Sequence, residues 1–218
     1  RRRKMHLPSR SLPKRRWSSV SKMSSNSYDP ARNEYFEQFQ GSHQGIARFF
    51  SVNPNSCGNP EHFKEYLLCN AMSDSLTGMG VTHVLAQHDD EGNPTAILGY
   101  VTLKTSSLLY RTESGYSGKP ALEISELAVN RQFERQGIGR LLLDYALFCC
   151  REIQKSAGVM YLLVYAEPQA VEFYSRVLNF EKMGDLYEIP NEVWNANCVP
   201  MLLKFDMLAS SEPVYPSE

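Results

Sequence analysis

Gly137-Ile138-Gly139, flanked by Arg135, Gln136 and Arg140, is the grouping in this 218-residue sequence best suited to chemistry. Glycines let a ligand approach the backbone closely. These two open a helix, because Ile138, Leu141, Leu142, Tyr145, Ala146 and Cys149 recur at spacings of three and four and make one apolar face. The first turn of such a helix carries unpaired N–H groups and the positive end of its dipole, so the loop suits an anion, most naturally a phosphate. A P-loop would place Lys-Ser/Thr after the second glycine, where Arg140-Leu141 stands. A Rossmann fingerprint would add a third glycine near Leu142. Neither pattern is met.

Other reactive residues lack partners in sequence. His83 and His88 lie five apart on one predicted strand, so they face opposite ways and cannot chelate one metal. The cysteines at 57, 69, 149, 150 and 198 form no CxxC pair, which implies a reducing, cytoplasmic setting without a disulfide framework. Cys149 falls on the apolar helix face, as a core residue would. No serine has the context of a nucleophile elbow. No apolar run reaches bilayer-spanning length, so no membrane partner is expected.

Charge is divided unevenly. Residues 1–28 hold nine Lys or Arg and no acid, leaving 14 basic against 24 acidic side chains in the rest. The head is rich in Ser, Pro and Arg and reads as disordered, and it fits a nucleic-acid-binding segment, a targeting signal or an addition to the natural chain. The expected division is therefore a basic segment over 1–42, one domain over 43–205 and a frayed tail over 206–218.

The elements that must position the glycine loop follow from periodicity. Strands are predicted over 43–52, 81–88 and 96–103, with a helix over 61–76 after the turn cluster at 53–60. Residues 104–120, rich in Ser, Gly and Tyr, read as a long loop. Leu122 to Val129 alternates as a strand before the glycine loop, and alternation puts Glu123 and Glu126 on opposite faces. The apolar run 159–165 reads as a parallel strand buried on both faces. Strand, helix and strand here make a right-handed βαβ unit. A helix over 167–178 and strands over 180–189 and 197–205 complete the chain.

The string ELAVNRQFERQGIGRLLL resembles motif A of the GNAT family of acetyl-CoA-dependent N-acetyltransferases, in which Q/R-x-x-G-x-G/A grips the pyrophosphate of coenzyme A. The six positions are Glu134 to Gly139, with Glu134 departing from the usual Gln or Arg. Ala170-Val171-Glu172-Phe173-Tyr174, followed by Asn179-Phe180, resembles the family's A-x-x-[LF]-Y-x-x-x-G-F segment. Asn179 replaces a glycine at a left-handed helix end, where Asn is next best. The resemblance covers roughly 43–205. It implies an α/β (α+β) GNAT fold: a mixed, mostly antiparallel sheet with one parallel βαβ pair splayed to hold acetyl-CoA.

It also implies roles. An amine acceptor must lose a proton before it attacks the thioester, so a general base is needed. Glu123 falls where the histone-acetylating branch carries its base glutamate, and Glu126 is the second candidate. Tyr174 matches the general-acid tyrosine that protonates the leaving thiolate. Backbone N–H groups of Leu127, Ala128 and Val129 would receive the oxyanion and the pantetheine arm. The implied partners are acetyl-CoA and an amine, with no metal and no membrane, in a monomer or homodimer. Three readings compete. The first is an enzyme acting on a small-molecule or peptide amine. The second is a member of the toxin-like branch that acetylates aminoacyl-tRNA, echoed by Cys57-Gly58, Tyr66-Leu67, Leu127-Ala128-Val129 and Glu167 with Phe173-Tyr174. The third is a non-catalytic acyl-CoA-binding module.

Overall fold

The computed structural model describes residues 33–205 except 186, 192, 194 and 195, so the head over 1–28 and the tail over 206–218 lie outside the described residues. Strand β1 (Glu34–Gln38) comes first. A 3-10 turn at Gly41–His43 then runs into the short helix α1 (Gln44–Ala47). Helix α2 (Pro60–Glu65) continues through a π turn at Tyr66–Asn70 into α3 (Ala71–Thr77). Strands β2 (Val81–His88), β3 (Pro94–Thr112) and β4 (Gly115–Val129) follow. The chain continues with α4 (Ile138–Gln154), β5 (Tyr161–Ala166) and α5 (Val171–Leu178). It closes with β6 (Glu181–Lys182) and β7 (Val199–Lys204).

The strands form one sheet in the order β1-β2-β3-β4-β5-β7-β6. Among the described residues only β4 and β5 pair in parallel. A parallel pair needs a crossover, which α4 supplies. The side chains of β5 are nearly all buried, as its apolar sequence requires. On one face of the sheet Leu85, Leu98, Val101, Leu122 and Ile124 pack with Leu142, Leu143 and Ala146 of α4. On the other, Val84, Ala86, Tyr100 and Ala128 pack with Ala47, Leu67 and Ala71 of the early helices. This is the mixed, mostly antiparallel arrangement expected from the sequence.

Three expectations are corrected. Residues 43–52 are not a strand: α1 begins within them, entered through reciprocal capping between Gln40 and His43, whose Nδ1 accepts from the Gln40 amide at 2.9 Å. The edge-strand position belongs to β1, inside the segment assigned to the basic head. Residues 104–120 are not a loop but the outer half of a long β3–β4 hairpin, turned at Glu113-Ser114. Their polarity reflects sheet surface that faces water. Of the predicted strand 180–189, only Glu181–Lys182 forms a ladder, and Tyr187 adds an isolated bridge to Tyr110. Asn179 takes the left-handed C-cap of α5 at φ 56°, and its amide donates back to Ser175.

Candidate active site

The parallel ladder between β4 and β5 runs from Ala121–Tyr161 to Ile124–Val164 and stops there. Strand β4 continues to Val129 and β5 to Ala166, so the two separate and leave the β5-facing backbone of residues 125–129 unpaired within the sheet. Leu127, Ala128 and Val129 remain held on their other edge by Val101, Tyr100 and Gly99. A split of this kind offers unpaired N–H and C=O groups to an extended ligand, as a sheet edge does.

At the mouth of the split stands the first turn of α4. Arg135 and Gly137 both adopt left-handed backbone, at φ 60° and 81°. No side chain caps the helix, and its first intrahelical donor is the Leu141 amide to the Gly137 carbonyl. The N–H groups of Ile138, Gly139 and Arg140 therefore face the mouth, beside Arg135 and Gln136, which are exposed. Arg140 forms an ion pair with Asp144 at 3.6 Å. Gly139 has a role the sequence does not reveal. A Cβ there would stand 3.1 Å from the Phe173 ring and 3.7 Å from Val129, so its bareness lets α4 approach α5.

The two glutamates lie on the same face, contrary to simple alternation. Thr102 pairs with Glu126 and Lys104 with Glu123, with a register shift between Thr102 and Leu103. The β3 partners are two residues apart, so they share a face, while the β4 partners are three apart. Ser125 is the extra residue, and this bulge turns Glu126 toward the side of Glu123. Their surroundings differ. Glu123 lies within the closed ladder, opposite Leu163, buried and ion-paired to Lys104 Nζ at 2.9 Å. Glu126 lies beyond the end of the ladder, where its Oε1 accepts from His62 Nε2 at 3.0 Å.

His62 is the residue that sequence reasoning missed. It sits on the first turns of α2, its side chain half exposed. The hydrogen bond to Glu126 raises its pKa above the usual 6.5, with the charges of Glu126, Glu167 and Glu65 adding to the effect against partial burial. Tyr174 is buried on α5, edge-on to Phe173 and Phe180. Burial pushes its phenol pKa up, and the nearby Glu126 and Glu167 carboxylates push the same way, so it stays protonated at neutral pH. Among the described residues its hydroxyl has no hydrogen-bond partner. Glu126, His62, Tyr174, the split strands and the uncapped helix thus meet at one end of the sheet. His83 lies elsewhere, against the Tyr145 hydroxyl at 3.0 Å, and His88 binds Glu37 at 2.7 Å. No cluster of three metal-ligating side chains occurs among the described residues, and no helix there is long and apolar enough to cross a membrane.

Residues 84–204 match the family model of the N-acyl amino acid synthase FeeM. Solved structures share the fold. A tyrosine-to-phenylalanine mutant of KacT superposes with a TM-score of 0.60 at 19% identity, covering 79% of this chain and 95% of that one. AtaTR bound with AcCoA superposes at 0.56 with 18% identity, over 79% and 93%. AtaT complexed with acetyl-methionyl-tRNAfMet superposes at 0.56 with 20% identity, over 75% and 98%.

Proposed function

Because the chain belongs to the FeeM N-acyl amino acid synthase family, we propose that it is an acetyl-CoA-dependent N-acetyltransferase whose acceptor is the α-amine of an amino acid. The observation that carries this reading is the convergence of the Glu126–His62 pair and Tyr174 on the mouth of the β4–β5 split. The donor fits the chain on its own terms. The uncapped first turn of α4, with left-handed Arg135 and Gly137, suits a pyrophosphate, and the unpaired edge of residues 125–129 suits a pantetheine arm. Acetyl-CoA supplies the activated acyl group.

The residues divide the proton work. His62 donates Nε2–H to Glu126, which leaves Nδ1 to take a proton from the acceptor ammonium. Glu126 steadies the imidazolium that results. Tyr174 holds its proton by burial and delivers it to the departing sulfur. Backbone N–H groups within Leu127–Val129 favour charge on the acyl oxygen. Glu123, tied to Lys104 inside the ladder, serves the sheet rather than the reaction.

The family is named for N-acyl amino acids, and AtaT occurs complexed with acetyl-methionyl-tRNAfMet, so both comparisons involve an acylated amino acid, which favours an α-amine as acceptor. The free amino acid is favoured over one carried on tRNA. Beyond residue 28 the chain has 14 basic against 24 acidic residues, and carboxylates 65, 126 and 167 act on His62. Such surroundings attract an ammonium group and repel phosphates. The tRNA-acetylating reading ranks second, supported by the fold shared with AtaT.

One assay separates the readings: acetyl transfer measured over free amino acids, polyamines, aminoglycosides, peptide amines and charged tRNAs, with and without residues 1–28. Acetylation of charged tRNA alone would overturn the free amino acid. In the same assay Tyr174→Phe keeps the ring and removes one proton. It is expected to lower kcat by about 10²-fold or more while acetyl-CoA binding holds. A variant turning over at the wild-type rate returns Tyr174 to packing. A wild type that binds acetyl-CoA and acetylates nothing is a binding module.

A further inference from the structure

The turn between α1 and α2 is held by two carboxylates from opposite sides of the split. Glu134, in the loop that leaves β4, accepts from Asn53 Nδ2 at 2.9 Å and from Ser56 Oγ at 3.4 Å. Glu167, the residue that follows β5, accepts from the Gly58 amide at 2.6 Å. A third tether, the Arg131 amide to the Ser51 carbonyl at 2.7 Å, anchors the start of the run to the same β4 loop. Residues 51–58 therefore pass from one side of the β4–β5 opening to the other. Two residues later Pro60 starts α2, and His62 reaches Glu126.

We propose that Glu134 and Glu167 are positioning residues that clasp the 53–58 turn across the split and so seat His62 on Glu126. This rests on the acyltransfer reading only for its consequence in turnover; the clasp itself stands on geometry. Three hydrogen bonds to carboxylates order a segment that contains Asn53, Pro54, Asn55, Gly58 and Asn59, residues that otherwise favour many turn conformations. They also explain the departure at the first position of the glycine motif. A Gln there could accept from Asn53 but carries no charge, and an Arg could not accept at all. Because α2 begins directly after the clasped run, freedom in the turn becomes freedom in the reach of His62. Neither carboxylate transfers a proton in this scheme.

The test uses the full chain labelled with nitrogen-15, comparing wild type with Glu134→Ala and Glu134→Gln. Glu134 is hydrogen-bonded to neither Gly58 nor His62 and is not among the charges that act on His62, so a change at those residues is expected to travel through the turn. Two readouts need no turnover: hydrogen exchange of the Gly58 amide, and the titration midpoint of His62, assigned by its loss in His62→Gln. Glu134→Ala is expected to speed Gly58 exchange by about tenfold, the scale of one hydrogen bond to a charged group. It should also bring the His62 midpoint down toward 6.5, while Glu134→Gln, which keeps an acceptor but loses the charge, falls between that variant and wild type. In acetyl transfer, kcat should fall by about threefold to tenfold with the acetyl-CoA KM unchanged. Unchanged Gly58 exchange and His62 titration in Glu134→Ala overturn the clasp even if turnover drops. Both readouts moving as expected in a chain that acetylates nothing support the clasp and sink the acyltransfer reading instead. If Glu134→Ala fails to fold, Asn53→Ala removes the same bond from the turn side and is judged by the same readouts.

Discussion

Replacing Glu123 and Glu126 by Gln, one at a time, should separate support from catalysis. Glu123 is 6% exposed and bonded to Lys104 at 2.9 Å, and Lys104 is 40% exposed. Gln at 123 keeps the shape and loses the charge. A hydrogen bond to a charged group contributes about 1.5–3 kcal/mol when buried. Lys104 can regain water on its exposed side, so the loss here is about 1–2 kcal/mol. For a domain of this size each kcal/mol moves Tm by about 2–4 °C, giving a fall of about 2–8 °C. Turnover at a temperature well below the transition should stay within about threefold. Gln at 126 still offers an oxygen to His62 Nε2 but cannot stabilise an imidazolium. Its Tm should hold within about 2 °C while kcat falls by about 10²–10⁴-fold. Calorimetric melts at pH 7 and steady-state acetyl transfer on the same preparations measure both quantities. A Glu123→Gln enzyme that melts normally but has lost 10²-fold or more in kcat would refute this assignment and restore Glu123 as the base.

The remaining predictions concern pH and packing. If His62 Nδ1 must be neutral to accept a proton, kcat/KM falls as pH drops through its raised pKa, so the acid limb should lie above 6.5 and move down toward 6.5 in Glu126→Gln. A limb unmoved by that substitution assigns the base elsewhere. His83, whose pKa burial lowers to about 4, should destabilise the fold on acidification. The unfolded chain binds the proton near 6.5, so stability is complete above that pH and is lost as pH falls toward 4, by at most about 3.5 kcal/mol at about 1.4 per unit. Urea melts of wild type and His83→Gln across pH 4–7 should show a flatter acid slope in the variant, and parallel slopes would reject this account. Gly139→Ala should weaken acetyl-CoA binding by pressing on Phe173, and Phe173→Leu in the same chain should restore part of it. Calorimetry showing no loss in the single variant would mean that the α4–α5 approach tolerates the methyl group.

The sequence revealed what depends on local pattern and concealed what depends on register. Helical spacing located α4, and an apolar run located β5, because burial of one stripe or of two faces dictates those patterns. The outer half of the β3–β4 hairpin escaped because a strand facing water need not alternate in hydrophobicity. Near the split, the positions of Tyr174 and the glycine loop were legible through short motifs. His62 was not, since it reaches Glu126 across 64 residues of chain with no spacing to mark the contact. The shared face of the two glutamates was hidden for a sharper reason. Strict alternation from Glu123 sends Glu126 to the opposite face, and one unopposed residue, Ser125, reverses that. A bulge is a relation between two strands, so β4 alone carries no sign of it. The same shift falls just where β4 parts from β5. The irregularity that misleads a reading of the strand therefore lies at the point where Glu126 meets His62 and the backbone edge opens to an extended ligand.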